Sequence, residues 1–256
     1  MKWLYTLLIF FISKSIFCQV KGDYIWIGGY QINPGAGLKG YEINFNNKSE
    51  IQQIEFSLGF SGNNTSICDD DGKLLFYTNG CAVMNRYHKV MPNGDSINAG
   101  QWFDIYWKDC LYGYPGFQEC IILNDPSNQN GYYLIHTARV YYPQIKDSAE
   151  LRVSYIDLSL NGGLGAVTYK NRKIYSGQNL CNSYLTAIKH VNGIDWWLIQ
   201  PLESDSTYLT YNISSLGIIQ KENQNSYQFF DRNRSNSSGT AKFSPDGTKY
   251  ALYNYY

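Results

Sequence analysis

Short apolar, aromatic-rich runs punctuated by polar glycine turns recur along this chain. Four stretches share the arrangement: DDGKLLFYTNG (70–80), NQNGYYLIHT (128–137), VNGIDWWLIQ (191–200) and SPDGTKYALYN (244–254), anchored on Gly72, Gly131, Gly193 and Gly247. Each turn follows another strand-like run, TSIC, CIILN, LTAIKH or TAKFS, so each unit opens with a hairpin. Further alternating runs joined by glycine turns follow, as in RVSYIDLSLNGGLGAVTYKN (152–171) and YLTYNISSLGIIQK (208–221), and GYEINFNNKSEIQQI (40–54) precedes the first hairpin. Amphipathic helical periodicity is missing throughout. The pattern predicts an all-β fold of tandem four-stranded antiparallel units, which is the signature of a β-propeller; a sandwich would not require a recurring unit.

The predicted propeller-like domain covers 19–256. Its blades fall at about 20–54, 55–100, 118–175 and 183–228, with a partial blade at 239–256 after the polar linker DRNRSNSSGT (231–240). Propellers close when the last blade meets the first, so an arc of four blades plus one hairpin is expected to be a truncated product of a longer gene. A closed four-bladed ring with a frayed tail is the alternative.

The runs SICDDDGKLLFYTNG, MNRYHKVMPNG, YIDLSLNGGLGAVTYKN, LTAIKHVNGIDWWLI and KFSPDGTKYAL, in that order, resemble secreted propeller-like proteins of gliding-type Gram-negative bacteria, loosely related to WD-repeat and YVTN-type propellers. The likeness runs from about residue 25 to the C-terminus. Such proteins often end in a sorting domain for type IX secretion, and no such domain is expected within residues 1–256. The resemblance implies export and a binding or scaffold role at the cell surface, with no established reaction.

Charge narrows the partners. Lys plus Arg and Asp plus Glu number 21 each in 256 residues, so no net field draws the chain to nucleic acid or an anionic membrane surface. At the N-terminus, Lys2 precedes the apolar run Trp3–Ile12, the form of an export signal, and the run is too short to span a bilayer. Cleavage between Cys18 and Gln19 is expected; acylation of Cys18 as a lipoprotein is the rival. Both readings place the protein outside the cytoplasm, secreted or at the cell surface.

Five cysteines follow Cys18, an odd number that cannot all pair internally. Cys68 and Cys81 are expected on strands either side of a central one, about two strand spacings apart and too far to bridge. Cys110 and Cys120, flanking a Gly/Pro loop, make the better pair; five unbridged thiols are the alternative. No Cys/His spacing matches a zinc site, and no cofactor is implied.

The remaining candidates are few. Asp69 and Asp71 stand in an acidic triplet that could hold a metal ion, but the alternating D-x-D-x-D-G pattern is absent and a hairpin turn accounts for them. His88, His136 and His190 lie in different units and are expected to serve structure, since no nucleophile-elbow context surrounds them. The Asn-x-Ser/Thr triplets at Asn47, Asn63, Asn212, Asn233 and Asn236 are expected to be unmodified turn residues. The insertion QWFDIYWKDCLYGYPGF (101–117) concentrates Trp102, Phe103, Tyr106, Trp107, Tyr112 and Tyr114, rigid rings suited to stacking on sugars or gripping a partner; a flap folded back onto its own blade is the alternative. The sequence predicts an exported, non-enzymatic protein that recognises a glycan or protein through propeller loops. An exported hydrolase with its chemistry around Asp69–Asp71 and His88 is the competing reading.

Overall fold

In the computed structural model, residues 21–29, 40–46, 48–55, 58–60, 62–106, 108, 110, 112–142, 145–177, 180–181, 183–202, 206–225 and 239–254 are described; the cleavage position Cys18/Gln19 lies outside them, as does Trp107. The fold is all-β. Five small antiparallel sheets follow one another in chain order, and none closes on itself. The first contains β1 (Ile25–Gly29), β2 (Gly40–Asn44) and β3 (Glu50–Ile54), and the second β4 (Thr65–Cys68), β5 (Leu74–Thr78) and β6 (Val83–Asn85). The third holds β7 (Cys120–Asp125), β8 (Asn128–Tyr142), β9 (Ile145–Asp157) and β10 (Ala166–Gly177). β11 (Thr186–Lys189), β12 (Trp196–Pro201), β13 (Thr207–Ser214) and β14 (Gly217–Gln220) form the fourth, where β15 (Gln224–Asn225) adds to β13; β16 (Gly239–Phe243) and β17 (Tyr250–Asn254) make the fifth. Within every sheet, sequential strands are neighbours, because tight turns join them. The expected four strands per unit are therefore seen only in the third sheet: the first two show three described strands, and the fourth gains β15.

One α-helix among the described residues breaks the all-strand expectation. α1 (Gln101–Tyr106) packs against β8, with Phe103 turned into the core. No helix among the described residues is long and apolar enough to cross a membrane.

Alternation along the strands decides how the sheets pack. In β7 and β8, Cys120, Ile122 and Leu134 face a cluster with Phe76 and Val83 of the second sheet, while Leu123 and Ile135 face Leu198, Leu209 and Ile213 of the fourth. The third sheet is thus covered on both faces, which is why its strands are apolar at successive positions. Ile25 and Ile27 pack on Leu74, Tyr77 and Met84 between the first two sheets, and Ala241 and Leu252 on Tyr184 between the last two. Burying each Leu or Ile in these layers contributes ~1.5–3 kcal/mol.

Turn glycines behave as expected at three of the four repeat positions, with φ of 81° at Gly72, 71° at Gly193 and 70° at Gly247. Gly131 differs. It lies within β8, and an added Cβ would sit 2.0 Å from the Tyr155 hydroxyl, so close approach rather than a turn requires glycine there. The turn itself lies just upstream, where Asp125 Oδ1 accepts hydrogen bonds from the Ser127 amide and hydroxyl.

The first strands of the sheets converge. Ser66 Oγ donates to Ile25 O (2.6 Å), linking β4 to β1, and Asn63 Oδ1 accepts from Glu119 N beside β7 (3.2 Å). Gln118, just before β7, joins two further sheets: its carbonyl accepts from Leu185 N, next to β11, and its side-chain amide donates to Ala241 O of β16 (2.7 Å). Gln118 Oε1 in turn accepts from Thr240 Oγ1 (2.6 Å) and Ala241 N (2.8 Å).

Candidate functional site

Where these first strands meet, a partly open cavity of about 510 Å³ is lined by β1, β2, β4, β16 and the start of β7. Its wall from the first sheet carries two aromatic rings. Trp26 and Tyr41 are 53% and 41% exposed, and the pairing of Trp26 with Ile43 and of Gly28 with Tyr41 places both on one sheet face, diagonal to each other. Diagonal neighbours across a strand pair stand ~7–8 Å apart. Both rings are held in place. Trp26 Nε1 donates to Asp23 O (2.8 Å) and the ring meets Phe45 edge to face at 5.1 Å. Tyr41 lies over Gly28, where an added Cβ would come within 2.6 Å of its hydroxyl oxygen, so the missing side chain makes room for the ring.

Asp23 on the β1 side and Lys242 on β16 supply opposite charges to the cavity wall, with Asn64 and Thr65 between. Among the described residues, Asp23 and Lys242 are not ion-paired with each other. Two fixed rings, a carboxylate, an ammonium and short polar side chains around a cavity of this size suit a small polar ligand with apolar faces. Cys120 also reaches the wall, but its thiol is buried and its pKa is pushed up by burial, so it offers no thiolate.

The aromatic insertion is a different structure from the one expected. Tyr114 is fully buried and Phe103 nearly so, in a cluster with Cys81 and Cys110; Trp102 is half-buried edge-on to Tyr114 and under the Arg139 guanidinium. Phe103 and Tyr114 are core and cannot act as a stacking surface, and Trp102 is turned in against them. The Tyr106 side chain and Trp107 lie outside the described part. Tyr112 remains exposed at 50%. The reason is covalent as well as apolar: Cys110 bridges to Cys81, with Cα atoms 6.2 Å apart, and this draws the loop down onto the second sheet. The expected Cys110–Cys120 bridge is therefore corrected. Cys120 opens β7 and faces the core between the second and third sheets, where it is buried and forms no disulfide, as is the case for Cys68 and Cys181.

Beneath that loop, Glu119 is fully buried. Burial pushes its carboxyl up to about 8 against the pull of Arg139, whose guanidinium lies 3.5 Å from Oε1, and Oε2 has no hydrogen-bond partner among the described residues. Sequence reasoning passed over this residue, because a lone glutamate before a strand reads as surface.

The acidic triplet forms its own turn. Asp69 Oδ1 accepts from Asp71 N (3.0 Å) and Lys73 N (2.9 Å), while the exposed Asp71 carboxylate faces Lys73 Nζ at 3.4 Å. The histidines are separate. His88 Nδ1 shares a hydrogen bond with the Tyr77 hydroxyl (3.0 Å), and His190 Nδ1 accepts from Asn192 N within its own turn (3.2 Å). His136 is fully buried in a closed circuit. Its Nδ1 donates to Asn98 Oδ1 (2.5 Å), Nε2 accepts from Ser154 Oγ (3.0 Å), Ser154 Oγ also accepts from Asn171 N (3.0 Å), and Asn171 Oδ1 accepts from Asn98 N (2.8 Å). Burial, helped by Arg152, lowers its pKa to about 3, so the ring is neutral and fastens the 96–99 segment to β8, β9 and β10. None of these contacts joins Asp69, Asp71 and His88 into one constellation.

No family model matches this chain, and neither does any curated protein or solved structure.

Proposed function

We propose that this protein is a propeller-type binding platform that acts outside the cytoplasm and recognises a glycan or protein ligand in the cavity among its first strands. The hydrogen bonds of Gln118 support the propeller reading. Sheets stacked in parallel layers ~10 Å apart would leave the third and fifth about 20 Å from each other, with the fourth between. Gln118 instead reaches Thr240 and Ala241 directly, as wedge-shaped blades converging on an axis allow. Export is supported by the form of the N-terminal segment and by the Cys81–Cys110 disulfide, which an oxidising compartment sustains. The resemblance to exported propeller-like proteins of gliding bacteria agrees with both.

One observation carries the binding role: two exposed, fixed aromatic rings, Trp26 and Tyr41, line a hub cavity together with Asp23 and Lys242, which form no ion pair with each other among the described residues. A monomer has little reason to leave such rings uncovered at its centre unless they meet a ligand. The test is a binding screen of purified protein against cell-surface polysaccharides and extracellular proteins, read by Trp fluorescence and calorimetry and repeated with Trp26→Ala/Tyr41→Ala. The double variant should keep its fold and lose the ligand. Binding that survives the loss of both rings would overturn the reading.

A further inference from the structure

We infer that the ligand of this cavity is a neutral saccharide chain, with two consecutive sugar rings seated on Trp26 and Tyr41. The inference rests on the proposed binding role and narrows it to one chemical class. Sugar rings present flat C–H faces and equatorial hydroxyl edges, so they need an aromatic surface on one side and hydrogen-bonding groups at the rim. The cavity has that division. Trp26 and Tyr41 share one sheet face at diagonal positions, a separation of ~7–8 Å that suits neighbouring rings of an oligosaccharide. Each ring is already oriented, Trp26 by its hydrogen bond to Asp23 O and Tyr41 by lying over Gly28, so little freedom is lost on binding.

The rim groups indicate charge neutrality. Asp23 accepts only and Lys242 donates only, so together they match the donor and acceptor sides of vicinal hydroxyls. Their formal charges cancel, and no further ionised side chain lines the cavity among the described residues. An anionic sugar would gain at Lys242 what it loses at Asp23. At about 510 Å³ the cavity lies within the range of sites that enclose a ligand of one to a few rings and is too small for a folded protein segment of any size.

The test uses the whole purified chain and calorimetric titration with neutral hexasaccharides (cellohexaose, laminarihexaose, xylohexaose and mannohexaose), anionic hexagalacturonate and cationic hexaglucosamine. At least one neutral probe should bind, with an affinity that stays within about twofold between low salt and ~1 M salt. Trp26→Ala and Tyr41→Ala should each weaken it by ~10-fold or more, Trp26→Phe should retain most of it, and Asp23→Asn should weaken it without changing the melting temperature. Binding confined to a charged saccharide, strongly salt-dependent and lost in Lys242→Ala, would overturn the inference and leave the binding role intact. So would a protein ligand that needs Trp26 while every saccharide fails. If a neutral saccharide binds equally well to Trp26→Ala and Tyr41→Ala, both the inference and the site are wrong.

Discussion

Glu119 and His136 titrate in opposite directions, and together they set a pH profile for folding. Glu119 has its carboxyl raised by burial from the ordinary 4.5 to about 8, so over that interval the folded chain holds a proton that the unfolded chain has released. Stability therefore falls as pH rises through it. His136 is lowered from 6.5 to about 3 by burial, so over its interval the unfolded chain holds the extra proton and stability falls as pH drops. Between 4.5 and 6.5 the two slopes oppose and a plateau results. Of these two groups only Glu119 titrates above 6.5; at ~1.4 kcal/mol per pH unit it removes roughly 2 kcal/mol by pH 8, and His136 removes a similar amount between 4.5 and 3. Urea denaturation of the oxidised protein at a series of pH values from about 3 to 9 measures both limbs. Glu119→Gln should flatten the alkaline limb and leave the acid limb in place. A wild type whose stability holds or rises from 6.5 to 8, or a Glu119→Gln variant that keeps the alkaline decline, would refute the argument.

Three other perturbations have defined outcomes. Replacing Cys81 and Cys110 by Ser opens a cross-link between residues 29 apart and should cost about 3–4 kcal/mol by chain entropy, read as a lower urea midpoint that matches the reduced wild type. Tyr114→Phe removes the hydroxyl that accepts from Arg139 N at 2.8 Å and takes the partner from a part-buried amide, so it should cost ~1 kcal/mol in the same assay. Gly28→Ala would bring a methyl within 2.6 Å of the Tyr41 hydroxyl oxygen. Because the added methyl displaces a ring that is 41% exposed rather than a core side chain, the melting temperature should barely move while ligand titration shows weakened binding.

The sheets were legible in the sequence because their signals are local. Period-two alternation and glycine turns act within a few residues, and DDGKLLFYTNG or VNGIDWWLIQ carries its hairpin whatever surrounds it. Gly131 shows the limit: its role depends on Tyr155, from the neighbouring strand, which no local pattern reveals. The same limit governed the candidate site. The ring-rich 101–117 segment looks like a binding loop from composition, yet Phe103 and Tyr114 became core once Cys110 found Cys81 across the fold. Trp26 and Tyr41, plain strand residues in the sequence, became the exposed pair because their sheet is covered on the Ile25 and Ile27 side and open on the other. Residue order thus determined strands and turns. Which aromatics face solvent, which thiols meet and where a cavity opens were decided by packing between sheets, because burial and disulfide geometry depend on distances in space between residues far apart in the chain.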